Sequence, residues 1–82
     1  MITLRYWAAA KSAAGVAEDR FEEDTLAAVV DAARTCHGPD LGRVLTRCSY
    51  LVDGHPVGSR PPASVELPDG AVVEVLPPFA GG

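Results

Sequence analysis

No apolar run in the chain approaches the roughly 18–20 residues that span a bilayer, so no membrane helix is expected. Basic residues are scarce. Seven Lys and Arg against eleven Asp and Glu leave a net charge of −4, the opposite of the basic patch that nucleic-acid binding requires. An acidic surface of this kind favours solubility and steers a chain toward basic partners. Only two cysteines, Cys36 and Cys48, and two histidines, His37 and His55, are present. They form no CxxC, and no set of His, Cys and acidic residues has metal-ligand spacing. The cysteines read as reduced, partly buried structural residues. The opening residues show no charged segment, apolar core or cleavage site of a secretory leader, and a cytoplasmic protein is expected. Ser12, Ser49, Ser59 and Ser64 lack the context of a nucleophile elbow. Gly38, Gly42, Gly54, Gly58 and Gly70 read as caps and turns, with no phosphate-binding loop among them. With 82 residues, a single domain buries only about 60% of its unfolded surface. That leaves little room for an enclosed active site, and no acid–base or metal set marks an enzyme in its own right.

What is present is periodic. Ile2, Leu4 and Tyr6 alternate with Thr3, Arg5 and Trp7, the pattern of a half-buried strand. The stretch 8–17 is rich in small residues and contains Gly15, and reads as a loop with room for one helical turn. A short edge strand is expected over 18–23, centred on Phe21, with 18–24 a solvated acidic edge. Asp24-Thr25 supplies an N-cap. Leu26, Val29, Val30 and Ala33 then form one apolar stripe of a helix. His37-Gly38-Pro39 stops it, with glycine in a left-handed cap, proline unable to continue and His37 a capping residue. A second short helix is expected over 40–47, carrying Leu41, Val44 and Leu45. A strand over 48–52 meets the Asp53-Gly54 hairpin turn, and Pro56 cuts the return strand short. Arg60-Pro61-Pro62 reads as an irregular crossing, and Pro68-Asp69-Gly70 as the turn into a last strand over 71–76. There Val73 and Val75 share one face, and Val72, Glu74 and Leu76 the other. The order of elements suits an α+β domain with one main helix packed across a sheet. The helix stripe and the inner faces of the first and last strands form its core.

The sequence closes on Leu76-Pro77-Pro78-Phe79-Ala80-Gly81-Gly82. Two prolines remove two donors and fix φ, so strand pairing must stop there, and their stiffness lowers the entropy lost when the segment docks. Phe79 offers an anchor, and the residues after it are slim enough for a narrow channel. A main-chain carboxylate on Gly82 is ionised and inert at neutral pH; to become an acyl donor it must first be converted to a better leaving group, such as an acyl-adenylate. The plain alternative is a frayed end.

This ending closely resembles the Phe-Pro-Pro-Val-Ala/Ser-Gly-Gly ending of the MoaD branch of the MoaD/ThiS family of sulfur carriers. Ile2 to Tyr6 followed by Ala8, Lys11 and Gly15 is similar to that branch's first strand and loop. Leu67-Pro68-Asp69-Gly70 is similar to its approach to the tail. Ala71 and Val72 stand where an acidic pair often follows, Asp53 stands where Asn is common, and 57–62 is unusually proline-rich. The resemblance implies a ubiquitin-like β-grasp fold, with a mixed sheet over 1–76 and a projecting flexible tail over 77–82. It also implies that an E1-like enzyme of the MoeB type uses ATP to adenylate Gly82 and that a sulfur donor converts it to a thiocarboxylate. A MoaE-like large subunit then takes up the tail (Pro78, Phe79, Ala80 and Gly81) and spends the sulfur in molybdopterin synthesis. No cofactor is expected to be bound.

If the first and last strands are neighbours, Trp7 lies near Leu76 on the outer face, and Pro56 joins them from the hairpin. Trp7, Leu76, Pro56 and Arg5 are the expected docking face. The plainer readings are a Trp folded over its own sheet edge and a solvated strand arginine. Competing functions are a carrier for cysteine or thiamine-thiazole synthesis, a β-grasp interaction module with an inert tail, and a modifier whose Gly82 forms isopeptide bonds with lysines.

Overall fold

A computed structural model describes residues 1–78. The elements run β1 (Ile2–Tyr6), α1 (Ala8–Ala14), β2 (Glu18–Phe21), α2 (Leu26–His37), α3 (Pro39–Leu45), β3 (Ser49–Val52), β4 (His55–Pro56) and β5 (Val72–Leu76). The sheet order is β2-β1-β5-β3-β4. Strands β1 and β5 are parallel; the remaining neighbours are antiparallel. One face of this mixed sheet is covered, and the inner residues of β1 (Ile2, Leu4, Tyr6) and β5 (Val73, Val75) meet Leu26, Val29 and Ala33 of α2 there, all buried. This is the β-grasp arrangement, and the strand alternation read from the sequence is the one observed.

The first difference is α1, a helix where a loop was expected. Its seven residues include five alanines, the best helix former, and no β-branched residue. Gly15 closes it at φ 78°, ψ 3°, donating its N–H to Lys11 O at 2.9 Å, a left-handed cap only glycine takes freely. Ala10 is fully buried because its small side chain lets α1 pack against α3. The described residues thus form three α-helices rather than one main helix and a short companion.

Thr25 caps α2 as expected, its hydroxyl accepting from Ala28 N–H at 3.2 Å. Gly38 departs from the expected left-handed cap. It sits at φ 90°, ψ −167°, a region essentially reserved for glycine, and serves both as the C-cap of α2 and as the N-cap before Pro39 at the start of α3. The core extends further than the main helix and two strands. Val57, Val65, Leu67 and Ala71 from the crossing are also buried. A 3-10 turn at Pro62–Ser64 lets Val65 O accept from Leu26 N–H and Asp24 O accept from Leu67 N–H, so the crossing is tied to the start of α2.

Two side chains expected at the surface or cap are engaged elsewhere. Asp19 turns inward from the acidic edge, where its Oδ2 accepts from the Tyr6 hydroxyl at 2.8 Å and meets His37 Nε2. The His37 ring stands edge-on to Tyr6, so this cluster pins edge strand β2 and the end of α2 to β1. Of the cysteines, Cys48 is half-buried but Cys36 is exposed; both are free. Among the described residues no helix is long and apolar enough to cross a membrane.

Candidate functional site

Strand β5 is central, held by β1 on one side and β3 on the other. Its end therefore emerges beside the end of β1 and the start of β3, where Leu76 faces Ser49 in register. Pro77 and Pro78 follow, and with no N–H to donate they lead the chain away from the ladder. Trp7 sits at the matching end of β1 in extended conformation and donates its backbone N–H to Val75 O at 3.3 Å. The next residue, Ala8, has φ 50°, a strained value for a residue with a Cβ, and this sharp turn starts α1 with its first residues beside the exit.

The result is a hollow of about 560 Å³ bounded by Trp7, Ala8, Ala9, Ser49, Leu76 and the two prolines. Trp7 remains 45% exposed and its indole Nε1 donates to Glu74 Oε1 at 3.1 Å. The indole is thus fixed against its own sheet while keeping an open apolar face. Ala8, Ala9 and Ser49 went unforeseen as lining residues; the register of β3 on β5 is what brings Ser49 there, and no local pattern signals it.

Arg5 stands on the outer face between two acids, 3.9 Å from Glu18 Oε1 and in register with Glu74 across the parallel pair. This exposed pairing contributes little to stability, but an incoming carboxylate must compete with it. Pro56 pairs with Leu51 on β4 at the far edge of the sheet. It bounds a different hollow, with Val57 and Arg60. The structure therefore gathers Trp7, Leu76 and Pro78 at one place, keeps Arg5 within the adjoining row, and leaves Pro56 two strands from β5. Phe79, Ala80, Gly81 and Gly82 lie outside the described residues.

The thiol and hydroxyl groups at the rim of the core are restrained. Burial pushes the Cys48 thiol up to about 11, and it donates to Val44 O at 3.2 Å, so it is a protonated structural thiol at neutral pH. Burial likewise pushes Tyr50 up to about 12, and its hydroxyl donates to Leu45 O at 3.0 Å. Burial first, and the Asp19 hydrogen bond second, raise the Tyr6 hydroxyl well above the usual tyrosine range. The Tyr6–Asp19–His37 cluster borders none of the hollows described here. Among the described residues no three His, Cys, Asp or Glu side chains gather as a metal-binding group. What the region offers chemically is a rigid strand end, a stiff exit and an apolar seat beside it.

The family model of the ThiS family matches residues 4–82. This chain belongs to the ThiS family. A search of curated proteins gave no match. Among solved structures, the small archaeal modifier protein 1 from Methanosarcina acetivorans is 19% identical with a TM-score of 0.85, covering 99% of this chain and 95% of that one. CysO in the Amycolatopsis orientalis BexX/CysO complex is 18% identical with a TM-score of 0.81, each chain covered in full. The complex of subunits 1 and 2 of molybdopterin-converting factor from Helicobacter pylori 26695 contains a chain 20% identical with a TM-score of 0.68, covering 99% of this chain and 97% of that one. At these identities the likeness is one of fold: this ThiS-family chain is a ubiquitin-like β-grasp protein.

Proposed function

We propose that the chain is a sulfur carrier whose reactive group is the carboxylate of Gly82, and that it serves molybdopterin synthesis. The observation that carries this reading is the family match running through residue 82, on a chain whose central strand ends in a donor-free Pro-Pro exit beside an apolar seat. A MoeB-like activating enzyme joins the carboxylate to the AMP of ATP, releasing pyrophosphate. A sulfur donor then displaces AMP, leaving one sulfur in place of one carboxyl oxygen. A MoaE-like subunit accepts the tail and consumes the sulfur. This chain's own residues bind and orient: Trp7 and Leu76 seat the partner, and Pro77 and Pro78 hold the exit extended so that Phe79, Ala80 and Gly81 enter its channel. The acids and bases belong to the partners. A carrier that works with these proposed partners is a cytoplasmic protein in this reading.

The test is intact mass after incubation with ATP, an activating enzyme and sulfide. Exchange of one oxygen for sulfur, lost on deleting Gly82, is the expected outcome; no change with any such enzyme leaves an inert module. Ladders on other proteins would instead make the chain a modifier, a reading favoured by its fold likeness to the archaeal modifier. Among sulfur pathways, transfer to a MoaE-like subunit rather than to a cysteine- or thiazole-forming enzyme decides the molybdopterin assignment.

A further inference from the structure

The chain carries a net charge of −4, yet its arginines are not spread evenly over it. Arg34, Arg43, Arg47 and Arg60, four of the seven basic residues, surround two hollows that share Arg34 and Thr46. One hollow, of about 540 Å³, lies between α2, the start of β3 and the 57–62 crossing. The other, of about 490 Å³, lies along α3. The acids on these two helices, Asp31 and Asp40, form exposed i,i+3 pairs with Arg34 and Arg43, which balance those two charges and leave Arg47 and Arg60 as the excess. Among the described residues no carboxylate lies within 4.0 Å of a guanidinium nitrogen of Arg47 or Arg60. Arg60 donates to Val57 O at 3.0 Å and to Pro56 O at 3.1 Å, which fixes its position without cancelling its charge. Glu18, Asp19, Glu22, Glu23 and Asp24 lie instead on and after β2, the opposite edge of the sheet.

The floor between the arginines is apolar, with Val30, Leu45 and Val57. Two of its polar groups are already used within the chain, Cys48 on Val44 O and Tyr50 on Leu45 O. The unmatched features are therefore guanidinium groups spaced around a groove, not converging on one point as a single phosphate would need. A long polyphosphate meets an overall negative chain. A short run of carboxylates feels chiefly the local patch, because charges beyond about 8 Å are screened at physiological salt.

We infer that this groove docks an extended acidic segment of a partner protein. Its carboxylates lie on Arg34, Arg47 and Arg60, and an apolar side chain between them covers Val30 and Val57. The groove reaches Ser49, which also borders the tail-exit hollow, so a protein holding the exit has this groove within reach of the same surface. The inference stands on charge and shape and does not require sulfur transfer.

The test is titration of the isotope-labelled full chain with a ten-residue peptide of glutamates interrupted by two leucines, followed by amide chemical shifts. The expected shifts fall on α3, the end of α2 and 57–62. Arg47→Glu and Arg60→Glu each weaken binding about tenfold, Arg20→Glu on β2 at the opposite edge leaves it unchanged, and added salt weakens it. Four outcomes overturn the proposal: shifts centred on β1 and β5, affinity unaffected by Arg47→Glu, equally tight binding of a single-stranded oligonucleotide of matched charge, or self-association of the free chain through the same arginines. Because Arg60 also bonds the crossing, Arg47→Glu is the deciding variant.

Discussion

Asp53 shows how much one turn residue holds in place. Its φ of 49° is tolerated by Asp far better than by most residues, and its Oδ1 accepts from Val72 N–H at 2.9 Å, joining the hairpin to the start of β5. Asp53→Ala loses that bond and strains the turn, and is expected to cost about 1.5–3 kcal/mol in urea unfolding. Asp53→Asn keeps both features and should lie within about 0.5 kcal/mol of the parent. Trp7 separates stability from function. Half-exposed, and with its side chain bonded among the described residues only to Glu74, it should cost about 1–2 kcal/mol when replaced by Ala. If it seats the activating enzyme, the same change raises that enzyme's KM for the chain more than it lowers kcat; an unchanged KM removes Trp7 from the docking face. The pairing of Trp7 with Leu76 was legible once the two strands were placed side by side. Its tie to Glu74 was not, because the bond depends on how the parallel strands are staggered.

Elements with a clear period, β1, α2 and β5, were read in place because burial on one face imposes that period on the residues. Helix α1 was missed for the complementary reason. A run of small residues has no apolar–polar contrast, and Ala10 becomes a core residue only once α1 packs against α3 and the sheet. The crossing was likewise opaque, since Val57, Val65 and Leu67 are buried without a repeat to announce them. Two glycines at helix positions respond in opposite ways. Gly38→Ala forces a side chain into φ 90°, ψ −167° and is expected to cost about 1–3 kcal/mol, loosening α3 from α2. Gly42 lies inside α3 with ordinary φ, and the atoms nearest to a Cβ there belong to Arg34, Cγ at 3.3 Å. That side chain is nearly half exposed and free to give way. Gly42→Ala is therefore expected to stabilise by about 0.5–1 kcal/mol, and circular dichroism melting of the pair checks both signs.

At the scale of the whole molecule, the core is closed at its rims by hydroxyl and thiol groups that are bonded inward: Tyr6 to Asp19, Tyr50 to Leu45 O and Cys48 to Val44 O. This choice makes the fold sensitive to alkali. Burial raises Cys48 from 9.0 to about 11 and Tyr50 from 10.0 to about 12 in the folded chain, and raises Tyr6 further. Between the ordinary and the raised values the unfolded chain has released protons that the folded chain still holds, so stability must fall as pH rises. The contribution is complete below about pH 9, where both states are protonated, and is lost as pH climbs through the folded-state values of about 11 and 12. The growing negative charge of an already acidic chain acts in the same direction, so a decline alone does not identify the buried groups. Tyr50→Phe does. It removes one titrating group while keeping most of its packing, and its urea midpoint, lower than the parent's at pH 7, should decline less steeply between pH 10 and 12. Parallel declines for parent and variant would show that charge repulsion, not the buried hydroxyl at the rim of the core, sets the alkaline limit.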